Sequence, residues 1–179
     1  MKKRILSILL TLCMVLCMVP ISVFAEGEIT KKVETEEELV NALADSTVDI
    51  ITLKSDIAVS STLIVKRAVT LDIYGYMLEI SGSGSVIKVE NGGDLTLKDS
   101  DLTSTYYFNP EADGLWKWGT SGTKTVNGGV IYGGTGSING DIISGGGVYV
   151  DNGGTFTMTG GNIVGCTATI ERVRARGGG

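Results

Sequence analysis

Two aspartates and a lysine are the strongest candidates for chemistry in this chain. Asp99 and Asp101 are two positions apart, so on a strand their carboxylates would lie on the same side, with Lys98 beside them. Such carboxylates can bind calcium or serve as general acid and base. The same residues are typical of a solvated turn, in which Asp accepts hydrogen bonds from the nearby backbone. We favour the turn, and we predict no catalytic residue, no metal site and no cofactor.

The second candidate group is aromatic. Tyr106 and Tyr107 precede Trp116 and Trp118 in the segment 103–127, which also contains Pro110. Alternate residues of a strand share a face, and flat rings there can stack on a sugar or fill a pocket of a partner protein. We therefore predict that these four residues form a ligand-binding surface. The alternative, which the large apolar area of two tryptophans favours, is that they pack the segment onto the rest of the molecule.

The composition excludes several classes of function. The chain has no histidine, and so lacks the commonest general base and the commonest zinc ligand. Its net charge is −5, which argues against nucleic acid and anionic membrane surfaces as partners. Beyond the N-terminal segment the only cysteine is Cys166, so we predict no intrachain disulfide and a small buried side chain at that position.

The first 25 residues have the pattern of a secretory signal peptide. A basic start, Lys2-Lys3-Arg4, precedes an apolar run and the small-residue end Val23-Phe24-Ala25. A membrane anchor is the alternative, but the apolar run is short for a span and soon meets Pro20. We predict cleavage after Ala25 and a secreted or cell-surface protein without a membrane span.

One helix is predicted, between Lys31 and Asp45, within an N-terminal cap of residues 26–47. Thr35 and Glu38 fit a capping box, and Val33 with Leu39 fit a hydrophobic staple. The predicted apolar face consists of Leu39, Val40 and Leu43. Such a helix would cover the open edge at the end of a stack of strands.

From Val48 onward the apolar residues alternate in short runs between glycine turns, which indicates strands. Residues 85–98 and 146–159 are copies of one another, each with two strands around Asn-Gly-Gly, and a two-strand unit of this kind must stack on neighbours. The 61-residue offset corresponds to about three coils of roughly 20 residues. The spacing of 18 residues from Val130 to Val148 suggests one short coil. A sandwich or barrel is the alternative that the repeat disfavours.

We predict an all-β fold, a right-handed parallel β-helix over residues 48–166 with a short N-terminal capping helix and an insertion at 103–127. The residues expected to point inward or to stack are Val69, Leu71, Val86, Leu95, Leu97, Val148, Val150, Phe156 and Met158. Asp72, Glu79 and Asp94 are expected on the outer face. Asn91 and Asn152 are expected in Asn-Gly turns, where both residues tolerate positive φ, and can stack as a ladder.

The segment from Gly145 to Ile163 resembles the repeat of large secreted or cell-surface proteins of Gram-positive, often gut, bacteria. The predicted helix with Ile50-Ile51-Thr52-Leu53 and Val69-Thr70-Leu71-Asp72 resembles the start of a β-helix of the pectin-lyase-like class. The resemblance implies an adhesin-like surface protein longer than this chain. Residues 167–179, basic and ending in three glycines, depart from it and suggest truncation, with end-to-end self-association through an uncapped edge.

Two classes of function follow. The first is a non-enzymatic surface scaffold that binds glycans or the proteins of host or cell surfaces. The alternative is a carbohydrate-active β-helix enzyme, a polysaccharide lyase or hydrolase, or its inactive remnant. The repeat, the acidic charge and the absence of histidine favour the scaffold, and a fragment without activity of its own remains open.

Overall fold

The computed structural model describes residues 27–111, 116–136 and 145–168, with two further short strands at 138–139 and 142–143. The predicted signal peptide (1–25), Leu115 and residues 169–179 of the predicted atypical C-terminus lie outside the described residues. Among the described residues, no helix has the length and apolar character needed to cross a membrane.

The described elements are almost entirely strands, with one helix near the start. In chain order they are β1 (Thr30–Val33), α1 (Glu36–Ala44), β2 (Ile50–Leu53), β3 (Ile57–Val59), β4 (Leu63–Val65), β5 (Ala68–Asp72), β6 (Met77–Ile80), β7 (Ile87–Val89), β8 (Asp94–Lys98), β9 (Thr105–Pro110), β10 (Trp116–Gly119), β11 (Lys124–Asn127), β12 (Val130–Tyr132), β13 (Ile138–Asn139), β14 (Ile142–Ile143), β15 (Val148–Val150), β16 (Thr155–Met158) and β17 (Asn162–Val164).

Three parallel sheets organise the chain. Sheet A has the order β1-β2-β5-β8-β16, sheet B β17-β12-β6-β3 and sheet C β15-β7-β4. The chain passes from sheet A to sheet B to sheet C and then returns to sheet A, and we call each such passage a coil. All pairs within these sheets are parallel. The all-β prediction is confirmed, and the alternative of an antiparallel sandwich or barrel is wrong.

The core lies between the three sheets and is built of stacked side chains. In sheet A, Ile51 pairs with Leu71 and Leu71 with Leu97, and all three are fully or almost fully buried. Sheet C contributes Leu63 beside Ile87 in the same way. Because residues of a strand alternate between faces, each short strand gives only one or two such side chains, so several coils are needed to enclose a core.

The helix covers one end of the stack of coils, where the first coil lies. It begins after Thr35, whose Oγ1 accepts a hydrogen bond from the Glu38 backbone N–H at 3.2 Å. Val33 and Leu39 are fully buried, as the staple requires. Residues 30–33 form a strand rather than helix. Val40, predicted on the apolar face, is 47% exposed.

The two sequence copies are direct neighbours, not three coils apart. Strand β7 pairs with β15 and β8 pairs with β16, so Val89 lies beside Val150 and Leu95 beside Phe156. The 61-residue offset is therefore a single coil, lengthened by the segment 99–129 and by residues 133–147. The predicted short coil from Val130 to Val148 is wrong for the same reason, because these residues lie in different sheets of one coil.

Some predicted positions differ in burial. Val69, Leu71, Val86, Leu95 and Leu97 are buried, and Val148 and Phe156 pack against the core. Val150 and Met158 are about two-fifths exposed, at 38% and 42%, because β15 and β16 are the last strands of their sheets among the described residues. Asp72, expected on the outer face, is only 4% exposed, and its carboxylate is bonded to backbone N–H groups. Cys166, expected to be buried, is partly exposed.

Candidate functional site

The first candidate site is the row of carboxylates where the chain passes from sheet A to sheet B. Asp99 follows β8, and its two oxygens accept two strong hydrogen bonds. Oδ1 accepts from the Gly75 N–H at 2.8 Å, in the preceding coil, and Oδ2 accepts from the Gly129 N–H at 2.7 Å. Gly129 lies at the far end of the segment that begins at Asp99. Asp99 therefore joins the two ends of this segment, a junction that we call its neck, and bonds the segment to the preceding coil.

Two other aspartates act in the same way at the same corner. Asp56 accepts from the Met77 N–H at 2.8 Å, across to the next coil. Asp72 accepts from the N–H groups of Tyr74 and Ser100 at 3.1 and 3.0 Å, and its other oxygen lies 3.6 Å from Lys98 Nζ. Each carboxylate thus satisfies backbone donors that the turns leave without a strand partner.

Asp101 belongs to a local turn. Its Oδ1 accepts from the Thr103 backbone N–H at 2.9 Å and from the Thr103 hydroxyl at 2.6 Å. These bonds, the hydroxyl bond first, lower the pKa of Asp101. Each residue of the predicted acidic group therefore has structural partners: Asp99 accepts from Gly75 and Gly129, Asp101 accepts from Thr103, and Lys98 lies beside Asp72. The Asp101 backbone N–H also donates to Asp99 Oδ1, at 3.4 Å. This arrangement matches the turn interpretation. Within the described part of the chain, no three His, Cys, Asp or Glu side chains are grouped as metal ligands.

The aromatic insertion forms a small sheet of its own. Strands β10, β9 and β11 pair antiparallel in that order, and Phe108 of the central strand β9 is fully buried. Its ring centroid lies 6.3 Å from that of Trp116 and 5.8 Å from that of Tyr132 of β12. Met77 and Val130 complete this second apolar cluster. The insertion is therefore docked on sheet B by its aromatic residues.

Two of the four predicted ligand-binding residues take part in this docking. Trp116 packs in the cluster just described. The Tyr106 hydroxyl donates to Asp56 Oδ1 at 2.8 Å and lies 3.1 Å from the Gly75 carbonyl oxygen. Burial raises the pKa of the Tyr106 hydroxyl, and the neighbouring Asp56 raises it further. The hydroxyl thus remains a hydrogen-bond donor across the ordinary pH range.

The other two predicted residues are exposed, but on different faces. Trp118 pairs with Phe108 across the strands and is 44% exposed. Tyr107 pairs with Gly119 and is 39% exposed. Since successive residues of β9 point to opposite faces, Tyr107 lies on the face away from Phe108 and Trp118. The four aromatics therefore do not form one surface, and their role in ligand binding stays a prediction.

The repeated Asn-Gly-Gly turns lie one above the other. Gly92 and Gly153 both have φ of +82°, and the Gly92 N–H donates to the Gly153 carbonyl at 3.1 Å. Positive φ falls on Gly92 and Gly153 and not on Asn91 or Asn152, although Asn tolerates it. Both asparagines are exposed at the edge of the stack.

A ladder of opposite charges crosses sheet C beside these turns. Lys66 Nζ lies 3.6 Å from Glu90, and Lys88 Nζ lies 3.5 Å from Glu90 and 3.4 Å from Asp151. Partial burial acts against the charge of Lys88, but the bonds to Asp151 and Glu90 raise its pKa overall. The ladder links β4, β7 and β15 through Lys88 within β7 and through Lys66, Glu90 and Asp151, which follow the three strands.

Sequence reasoning missed Asp56, which joins the first coil, the second coil and the insertion. Its partners Met77 and Tyr106 are 21 and 50 residues away, so no local pattern indicates the contact. The only sequence signal is its place before a short apolar strand, where turn residues are common.

Residues 30–137 match the family described as "Putative pectate lyase-like adhesive domain". This match covers more than half of the chain, so the protein belongs to that family. The predicted resemblance is confirmed as far as a pectate lyase-like adhesive family. No curated protein and no solved structure matches the chain.

Proposed function

We propose that this chain is a right-handed parallel β-helix module of a secreted or cell-surface protein and that it acts in adhesion rather than catalysis. The observation that carries the proposal is its membership of a pectate lyase-like adhesive family. The repeated passage through three parallel sheets supports the β-helix, since such a stack grows by adding coils. The basic, apolar and small-residue pattern of residues 1–25 supports secretion.

The use of the acidic residues supports a role without catalysis. A polysaccharide lyase or hydrolase of this shape needs carboxylates that reach a metal ion or the sugar. Asp56, Asp72 and Asp99 instead accept hydrogen bonds from backbone N–H groups of the turns.

Trp118 is the proposed contact residue for a glycan or protein surface. It is exposed on the edge strand β10 of the insertion, and its own backbone N–H is held by the Tyr132 hydroxyl at 3.2 Å. An aromatic side chain on a fixed backbone offers a large contact area at a low entropy cost. The negative charge of the chain favours neutral glycans or protein surfaces over anionic ones.

The experiment compares Trp118→Ala with Trp116→Ala in residues 26–179. Binding to a glycan array and to host cells is measured beside the melting temperature, and release of unsaturated products from polygalacturonate is assayed. We expect Trp118→Ala to lose binding at an unchanged melting temperature, and Trp116→Ala to lower the melting temperature. We expect no products from polygalacturonate.

Two results would count against the proposal. Unsaturated products released by the wild type would favour the enzyme. Binding that survives Trp118→Ala would remove this residue as the contact. For secretion, mass spectrometry of secreted material should find Glu26 at the N-terminus, and retention of residues 1–25 in a membrane fraction would contradict cleavage.

A further inference from the structure

A groove runs along strand β4, at the end of the molecule that α1 covers. Val40, Leu43 and Ala44 of α1 face Leu63 and Ile64 of β4 across a cavity of about 470 Å³. Val40 and Ile64 are 47% and 37% exposed, so the walls are apolar and open to solvent. We call this feature the β4 groove.

The groove exists because the helix is fastened at its two ends. At its start, Glu36 accepts from the backbone N–H and the hydroxyl of Ser60, both at 2.8 Å. At its end, the Arg67 guanidinium donates to the carbonyl oxygens of Ala42 and Leu43 at 2.9 and 3.2 Å. Between these points, no strand of the described residues pairs with β4 on the side away from β7.

The backbone of Ile64 is directed toward that open side. The Leu63 N–H donates to the Val86 carbonyl, and the Val65 carbonyl accepts from the Glu90 N–H, both at 2.9 Å and both toward β7. Successive residues of a strand direct their N–H and C=O groups to opposite edges. The N–H and C=O of Ile64 are therefore directed at the groove, where an added strand would bond them.

The bonded edge of β4 shows which sequence fits beside it. There β7 places Ile87 beside Leu63 and Val89 beside Val65, and Glu90 follows at 3.6 Å from Lys66 Nζ. Strand β15 likewise places two valines beside β7, and Asp151 follows at 3.4 Å from Lys88, the central residue of β7. The strands that pair with β4 and β7 therefore share one pattern: an apolar residue, any residue, an apolar residue and then an acid that meets a lysine of the neighbouring segment.

We propose that the β4 groove binds an extended segment of a partner protein with this pattern, added to sheet C as a strand beside β4. Its apolar side chains would lie on the face of Leu63, against Val40 and Leu43 of α1, and its acid would reach Lys66. Arg67 adds positive charge at the same rim. Lys66 is 70% exposed, so it can serve an acid on either side of β4.

The probe is a labelled synthetic peptide that copies residues 147–152, which carry the pattern. We expect saturable binding to residues 26–179 by fluorescence anisotropy, with a dissociation constant below about 1 mM. Lys66→Glu should weaken binding at least about fivefold, since it removes a contact and adds a repulsion. Val40→Asp, a change at an exposed site, should weaken it as much.

A control variant, a control peptide and a competitor test the proposal. Lys117→Glu, a reversal of an equally exposed lysine on the insertion, should leave affinity unchanged. The peptide N-methylated at its central amides should not bind, because it cannot form a ladder. The proposal would be overturned if the peptide showed no saturable binding, or if the N-methylated peptide bound equally well. It would also be overturned if decanoate, a simple fatty acid, displaced the peptide and if decanoate binding depended on Lys66 in the same way. A dimer of the chain that dissolves on Lys66→Glu would overturn the partner protein in favour of a second copy.

Discussion

Among the carboxylates, Asp99 is the one whose removal should lower the free energy of unfolding most. Its two oxygens hold the N–H groups of Gly75 and Gly129, which belong to two different segments of the chain. A buried donor that loses a charged acceptor costs about 1–3 kcal/mol. We expect Asp99→Ala to lower the free energy of unfolding in urea by about 3 kcal/mol. Asp101→Ala, which loses only bonds to Thr103, should cost less than half of that, and equal losses would show that the neck is not held by Asp99.

Gly92 and Gly153 form a matched pair for testing the stacked turns. Both have φ of +82°, but a Cβ at Gly92 meets open space, whereas one at Gly153 overlaps the Asn91 side chain. Gly92→Ala should cost about 1 kcal/mol for its left-handed backbone alone. Gly153→Ala should cost more, and adding Asn91→Ala should bring the loss back to that of Gly92→Ala. The check is to compare the melting of the wild type, Gly92→Ala, Gly153→Ala and the double variant Gly153→Ala/Asn91→Ala. A double variant that is as unstable as Gly153→Ala would contradict the prediction.

The sequence predicts those residue roles that depend on neighbours along the chain. The capping of α1 by Thr35 and the turn of Asp101 follow from spacings of two or three residues, and both are present. The partners of Asp56 and Asp99 depend on how coils stack and could not be read from spacing. The same holds for Tyr106, which the sequence placed in a ligand-binding surface and whose hydroxyl is bonded to Asp56.

At the scale of elements, α1 is held to the first coil by a carboxylate that titrates. The hydrogen bond from the Ser60 backbone, and then that from its hydroxyl, lower the pKa of Glu36 below the ordinary value of 4.5. The stabilisation is therefore fully present above that value and is lost as the pH falls through the lowered pKa of the folded state. We expect the melting temperature to fall less between about pH 5 and pH 3 in Glu36→Gln than in the wild type.

Glu37 provides the control, since it lies on the same turn of the helix and is exposed. Glu37→Gln should retain the acid dependence of the wild type. If both variants lose the dependence equally, the bond to Ser60 is not its source.

The elements themselves were largely predictable, because alternation and glycine turns are local signals. The number of coils was not, because the segment 99–129 lengthens one passage without changing the strands on either side of it. Two strand pairs show this directly. In sheet B, Leu78 pairs with Ile131, which is 53 residues later in the chain, whereas in sheet C Leu63 pairs with Ile87, which is 24 residues later. A fixed period fails where an insertion leaves the strand register intact.

At the scale of the whole molecule, the last described strands of the three sheets carry exposed apolar residues. Val150, Met158 and Ile163 lie on β15, β16 and β17 and are each about two-fifths exposed. Unpaired strand edges beside apolar side chains favour association. We expect residues 26–179 to elute above monomer mass at high concentration and Met158→Lys to shift the equilibrium toward monomer. Leu102→Lys, at a 64% exposed site, is the control. Association that persists in Met158→Lys and falls in Leu102→Lys would place the contact elsewhere.

The closed neck at Asp99 also determines how this chain would transmit tension. A load between residue 99 and residue 129 is shared by the Asp99 carboxylate, by the Gly128 N–H bond to the Ser104 carbonyl at 2.9 Å and by the aromatic contacts that dock the insertion on sheet B. When these contacts break, about 30 residues are released, which adds roughly 100 Å of extended chain. An adhesive tether built in this way would lengthen before its coils separate, and the attachment would be spared the first part of a sudden load.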